Sequence, residues 1–78
     1  MAMGLHARPA NIFAKKATEF ESNINIIKDG KEANGKRLLA VLTLGAKQGD
    51  LLTIKIDGAD ESEAAATLKN LFDENFGE

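Results

Sequence analysis

Not one of the 78 residues of this chain is a cysteine, and that absence decides much of what the chain can become. Disulfides cannot staple it and thiolates cannot hold a structural metal, so the fold must rest on a contiguous apolar core. A chain this short buries only about 60–65% of the surface its unfolded form exposes, which leaves no room for a deep substrate cavity. Its chemistry is expected at the surface. Hydrophobic residues make up 44% of the sequence and charged residues 28%, too apolar a balance for a disordered chain. One histidine and no Trp or Tyr leave few ligands for zinc, and neither a metal nor a cofactor is expected. No apolar run approaches the roughly 18 residues of a membrane span, and no basic stretch followed by an apolar one opens the chain. The expected compartment is the cytoplasm, without membrane insertion.

The apolar residues follow two periods. Ala10, Phe13, Ala14, Ala17 and Phe20 recur at spacings of three and four, which predicts a helix from about Ala7 to Phe20 with Pro9 in its first turn. Asn23 to Lys28 alternates around Ile24 and Ile26 and reads as a strand. Asp29-Gly30 is a turn dipeptide, and Lys31 to Asn34 forms the return strand. Leu38 to Leu44 predicts a short helix closed by Gly45. Leu51 to Ile56 is the next strand, ended by Asp57-Gly58. Asp60 with Glu63 three residues later resembles a capping box, and Ala64, Ala65, Leu68, Leu71, Phe72 and Phe76 then mark a second long amphipathic helix. No linker or internal repeat divides the chain, so a single domain spanning residues 1–78 is expected. The order predicts an α+β fold, with two long helices covering one side of a small antiparallel sheet.

Charge is uneven along the chain. Residues 1–37 carry a net +3 and residues 38–78 a net −5. A +3 half lacks the dense basic stripe of a phosphate-backbone binder, so no nucleic acid is expected. It suits a docking face for an acidic protein, or a solvated surface of mixed sign. Gly30 to Arg37 matches a phosphate-binding loop up to its last position, where Arg37 replaces the hydroxyl that would hold magnesium. Nucleotide hydrolysis is excluded on that ground and on length.

His6 stands at or just before the first helix. An imidazole there meets backbone N–H groups without helical partners and the positive end of the helix dipole, a place that favours phosphate. Arg8 can add a charge-assisted fork to the same anion, and imidazole is a competent nucleophile near neutral pH. The plainer reading makes His6 a capping or surface residue. At 100° per residue, Arg8, Ile12 and Lys15 fall opposite the Ala10/Phe13/Ala17 side, leaving Ile12 exposed between basic residues. Leu38, Leu39 and Leu42 exceed what so short a helix can bury. Together they suggest a partner patch, unless these leucines simply fill the core.

The run Gly4-Leu5-His6-Ala7-Arg8-Pro9-Ala10, with Phe13, Thr43-Leu44-Gly45 and Gln48-Gly49 after it, resembles the histidine-containing phosphocarrier (HPr) family of the bacterial phosphoenolpyruvate-dependent sugar phosphotransferase system. The resemblance covers nearly the whole chain. It implies an open-faced sandwich, three helices on one face of a small antiparallel sheet. It implies further that His6 takes phosphate on Nδ1 from phosphorylated enzyme I and passes it to enzyme IIA domains, with Arg8 as the phosphate-site arginine. The docking surface it implies comprises Ala7, Arg8, Asn11, Ile12, Lys15, Leu38, Leu39 and Leu42. Such a protein is a carrier with a phosphohistidine intermediate, not a stand-alone enzyme. Relatives that lost the histidine are excluded as a close match by His6. The alternative is a regulatory docking module that is not phosphorylated in the cell.

The chain departs from the family at two places. Many Gram-positive members carry a regulatory serine where Arg37 stands. Members also begin with a strand before the Gly-Leu-His motif, where this chain has only Met1-Ala2-Met3. The first edge strand is therefore expected to be missing. The Leu51 to Ile56 backbone would then be exposed to self-association through the sheet edge.

Overall fold

The computed structural model describes residues 7–46, 50–74 and 76. Six elements follow in the order α1 (Ala7–Ala17), β1 (Asn23–Lys28), β2 (Lys31–Asn34), α2 (Leu38–Thr43), β3 (Thr53–Asp57) and α3 (Glu61–Asp73).

The stripe that makes α1 amphipathic is the one it buries: Pro9, Ala10, Phe13, Ala14 and Ala17. The helix ends three residues before the expected Phe20. The amides of Glu19 and Phe20 reach back only three residues, to the carbonyls of Lys16 and Ala17, while Thr18 Oγ1 donates to the Lys15 carbonyl at 2.7 Å. That tightened turn satisfies the last carbonyls and stops the helix. Phe20 packs half-buried against the core beyond it.

Asp29 and Gly30 take φ of 51° and 78°, the two positive values that a two-residue type I′ hairpin requires. Ile26 thereby faces Ala33 across β1 and β2. On its other side β1 pairs antiparallel with β3, Ile24 against Ile56 and Ile26 against Ile54. The sheet order is β2-β1-β3. Alternation sends Ile24, Ile26, Ala33, Ile54 and Ile56 to the helix side and leaves Asn25, Glu32 and Lys55 on the open face. β3 starts two residues later than the expected Leu51 and runs one residue further, to Asp57. The reason is its partner: the ladder opens with Ile27 against Thr53, and the hairpin turn follows Lys28. Lys28 instead meets the Asp50 carboxylate at 3.6 Å.

The three helices form one layer over the sheet, with α1 packed on both α2 and α3, α2 on β2 and α3 on β3. Phe13, Ile24, Ile26, Val41 and Leu68 are the large side chains buried between the layers. Phe72 stands edge-on to Phe13 and Phe76, at centroid distances of 5.9 and 4.9 Å, which ties α3 to α1. Gly35 has to lack a side chain, because a Cβ there would lie 2.9 Å from both Phe13 and Ile24. Among the described residues no helix is long and apolar enough to cross a membrane.

Asp60 does not cap α3 as the capping-box pattern predicts. Its carboxylate makes no cap hydrogen bond; it accepts the Glu21 and Ser22 amides at 2.8 and 3.0 Å and the Ser22 hydroxyl. Glu61, not Glu63, reaches back, accepting the Gly58 amide at 3.1 Å. The carboxylate thus links the end of the α1 segment to the start of α3. The Ser22 hydroxyl first, then the Glu21 amide, hold its pKa below the ordinary carboxylate value.

Candidate functional site

Burial of Pro9 and Ala10 anchors the start of α1 on the core, while Ala7 and Arg8 face solvent. His6 precedes the helix by one position and lies outside the described residues, as do Gly4, Leu5, Gln48 and Gly49. What α1 itself contributes is electrostatic. Its first turn holds no acidic residue, and Arg8 adds a cation at the positive end of the dipole. A helix start with that charge favours an anion. Lys15 and Lys16, in the last turn, sit where the dipole favours them.

The candidate docking residues divide between α1 and α2, two helices packed against each other. Asn11 and Lys15 are exposed. Ile12 is not the exposed residue that the helical wheel predicts; it is half-buried and packs against the core. A helix packed against two neighbours has a wider apolar stripe than one packed on a single side. Leu42 is likewise half-buried against the core. Leu38 and Leu39 remain 37% and 77% exposed at the start of α2, beside the exposed Arg37. An apolar step with a basic rim therefore adjoins α1.

Side-chain hydrogen bonds that no periodicity signals hold this region together. Lys36 Nζ donates to the Phe20 carbonyl at 2.7 Å and joins the end of the α1 segment to the approach to α2. Thr43 Oγ1 donates to the Leu39 carbonyl at 2.7 Å, which engages the only hydroxyl of α2. A basic residue before a helix and a threonine inside it were visible, but not their partners, which depend on how the turns fold back.

Comparison with known proteins gives a consistent result. The family described as "PTS HPr component phosphorylation site" matches residues 1–74. Phosphocarrier protein HPr of Mycoplasma genitalium is 42% identical over 74 residues, covering 94% of this chain and 84% of that protein. Among solved structures, HPr from Thermoanaerobacter tengcongensis superposes with a TM-score of 0.94 at 41% identity, covering 97% of this chain and 85% of the other. An HPr dimer from the same organism gives 0.89 at 40% identity, covering 95% and 85%. A helix start charged to attract an anion, an exposed leucine step beside it, and this breadth of likeness converge: the chain belongs to the HPr family, the phosphocarriers of the phosphotransferase system.

Proposed function

We propose that this carrier holds its phosphoryl group on His6, receiving it from phosphorylated enzyme I and delivering it to enzyme IIA domains of sugar permeases in the cytoplasm. The supporting observation is the start of α1. His6 immediately precedes a helix whose first turn has no acidic residue and contains Arg8.

In the transfer, an imidazole nitrogen of His6 attacks phosphorus in line, the new P–N bond forming as the bond to the donor breaks. Negative charge on the equatorial oxygens grows toward the helix N–H groups and the Arg8 guanidinium. The same groups then stabilise the phosphohistidine until the acceptor approaches from the same side. Docking uses Ala7, Arg8, Asn11, Ile12 and Lys15 on α1 with Leu38, Leu39 and Leu42 on α2. The exposed leucines supply apolar area, and the lysine and arginines complement an acidic partner. The protein turns over nothing alone: it is a single domain that relays a group between two others.

Reconstitution of the relay tests this. With phosphoenolpyruvate, magnesium, enzyme I and an enzyme IIA domain, label reaches the IIA domain only when this chain is added. Label reaching IIA equally without it, or never reaching it, would overturn the proposal.

A further inference from the structure

α2 carries little of its own to hold it in place. It has six residues, buries Val41 alone and starts at Arg37 without a side-chain cap, whereas isolated helices shorter than about 12–15 residues are marginal in water. Yet its exposed Leu38 and Leu39 form the apolar step beside α1. The turn that precedes α2 fixes its start. Gly35 donates its amide to the Ile24 carbonyl at 2.7 Å, and its bare Cα lies against Phe13 of α1. Asn34 closes the turn on itself: its Oδ1 accepts the Lys36 amide at 2.9 Å and its carbonyl the Arg37 amide at 3.1 Å. One further link runs from the turn to the end of the α1 segment. Lys36, half-buried, donates from Nζ to the Phe20 carbonyl at 2.7 Å, across 16 positions of sequence.

We propose that Lys36 is a positioning residue for docking: its hydrogen bond to Phe20 holds the start of α2 against α1 at the spacing a partner reads, without touching the partner. The proposal rests on the docking surface described above. The direction of the ammonium carries it. Lys16, Lys28, Lys55 and Lys69 each meet a carboxylate, while Lys36 meets a backbone carbonyl beyond the end of α1. A half-buried cation is costly unless its hydrogen bonds are made, so the ammonium stays with that carbonyl and is not offered to a partner. A helix held by one buried side chain and its entry turn loosens when a link in the turn is lost. The leucine step must then be ordered at the moment of docking, which lowers affinity. Arg8 lies at the opposite end of α1, so the chemistry there is left alone. The loss therefore falls on binding and not on the transfer step.

Two substitutions test this. Lys36→Met keeps most of the aliphatic stem and removes the donor, whereas Lys36→Arg keeps a donor and the charge. In the free chain, hydrogen exchange at the Val41 and Leu44 amides, which bond to Arg37 and Val41, should quicken roughly tenfold in Lys36→Met while the β1 amides keep their rates. With phosphorylated enzyme I as donor, KM for the Lys36→Met chain should rise roughly tenfold and kcat stay within about twofold. Lys36→Arg should match the wild type in both. The rise should persist at high salt, where a direct ion pair with the partner would be screened. Wild-type exchange at α2 in Lys36→Met would overturn the proposal, and so would a quickening shared equally by β1, which would make Lys36 a general prop of the fold. A fall in kcat at constant KM, or a Lys36→Arg chain no better than Lys36→Met, would overturn it too. A wild-type chain that takes no phosphoryl group from enzyme I would overturn the carrier reading itself, and the docking role with it, whatever α2 shows.

Discussion

Arg8 carries the clearest residue-level consequence. It occupies the first turn of α1 without an acidic neighbour in that turn, so its charge is useful where an anion arrives. A charge-assisted hydrogen bond is worth about 1.5–3 kcal/mol. Arg8→Ala is therefore expected to leave the melting temperature nearly unchanged and to slow phosphoryl acceptance by roughly ten- to a hundredfold. Rapid-quench measurement with phosphorylated enzyme I reads this, and an unchanged rate would remove Arg8 from the site. Asp60 behaves differently. Its folded carboxyl is held below the ordinary value by Ser22 and Glu21, so the unfolded chain binds the proton more readily. The stability it contributes is complete above the unfolded carboxylate pKa of about 4 and is lost as pH falls through the lowered folded value. Asp60→Asn should lower the melting temperature at neutral pH and flatten its fall below about pH 4. Parallel acid limbs for variant and wild type would contradict that. Gly58 packs against the same linkage. A Cβ there would lie 2.5 Å from Ser22 Oγ and 2.6 Å from Ser22 Cα, and crowding of this kind costs about 1–3 kcal/mol. Denaturant unfolding of Gly58→Ala should show such a loss with an unchanged m-value.

Among the elements, those written in local chemistry were legible and those decided by a partner were not. The apolar period of α1, the Asp29-Gly30 turn and the leucine-rich α2 each follow from neighbouring residues, and β1 and β2 fall where their alternation places them. β3 was displaced because a strand is bounded by what it pairs with, and β1 offers it no ladder position before Thr53. Asp60 resembled a cap until the fold brought Glu21 and Ser22 to its carboxylate; 38 residues of separation lie beyond any local pattern. Ile12 was assigned to solvent by a wheel that knew nothing of α2. Leu38 and Leu39 could have gone either way on sequence, and their exposure decides what to expect of them. Replacing Leu39 with Asp removes little buried surface, whereas Leu38, only 37% exposed, gives up nearly three times as much. Leu39→Asp should weaken enzyme I binding by roughly tenfold or more while costing under about 1 kcal/mol of stability, and Leu38→Asp should weaken binding at a larger cost in stability. Calorimetric titration beside a thermal melt separates the two, and an unfolded variant with unaltered affinity per folded molecule would show these leucines to be structural.

For the molecule as a whole, the open-faced sandwich turns the starts of α1 and α2 to solvent. One side of the sheet is covered by three helices, and the other carries mostly polar side chains with Ile27 among them. A domain of this size buries too little surface for a deep substrate cavity. The motif from Gly4 to Ala10 made the carrier chemistry legible, because its residues lie side by side in the sequence. The surface around it was only half legible, since it depends on how α2 leans against α1. The most direct measurement is mass spectrometry of the intact chain after incubation with phosphoenolpyruvate, magnesium and enzyme I. One phosphoryl group should appear, be lost on brief acid treatment as a phosphoramidate is, and be absent from a folded His6→Ala variant. An acid-stable group, or one that His6→Ala still accepts, would contradict a phosphohistidine at the start of α1.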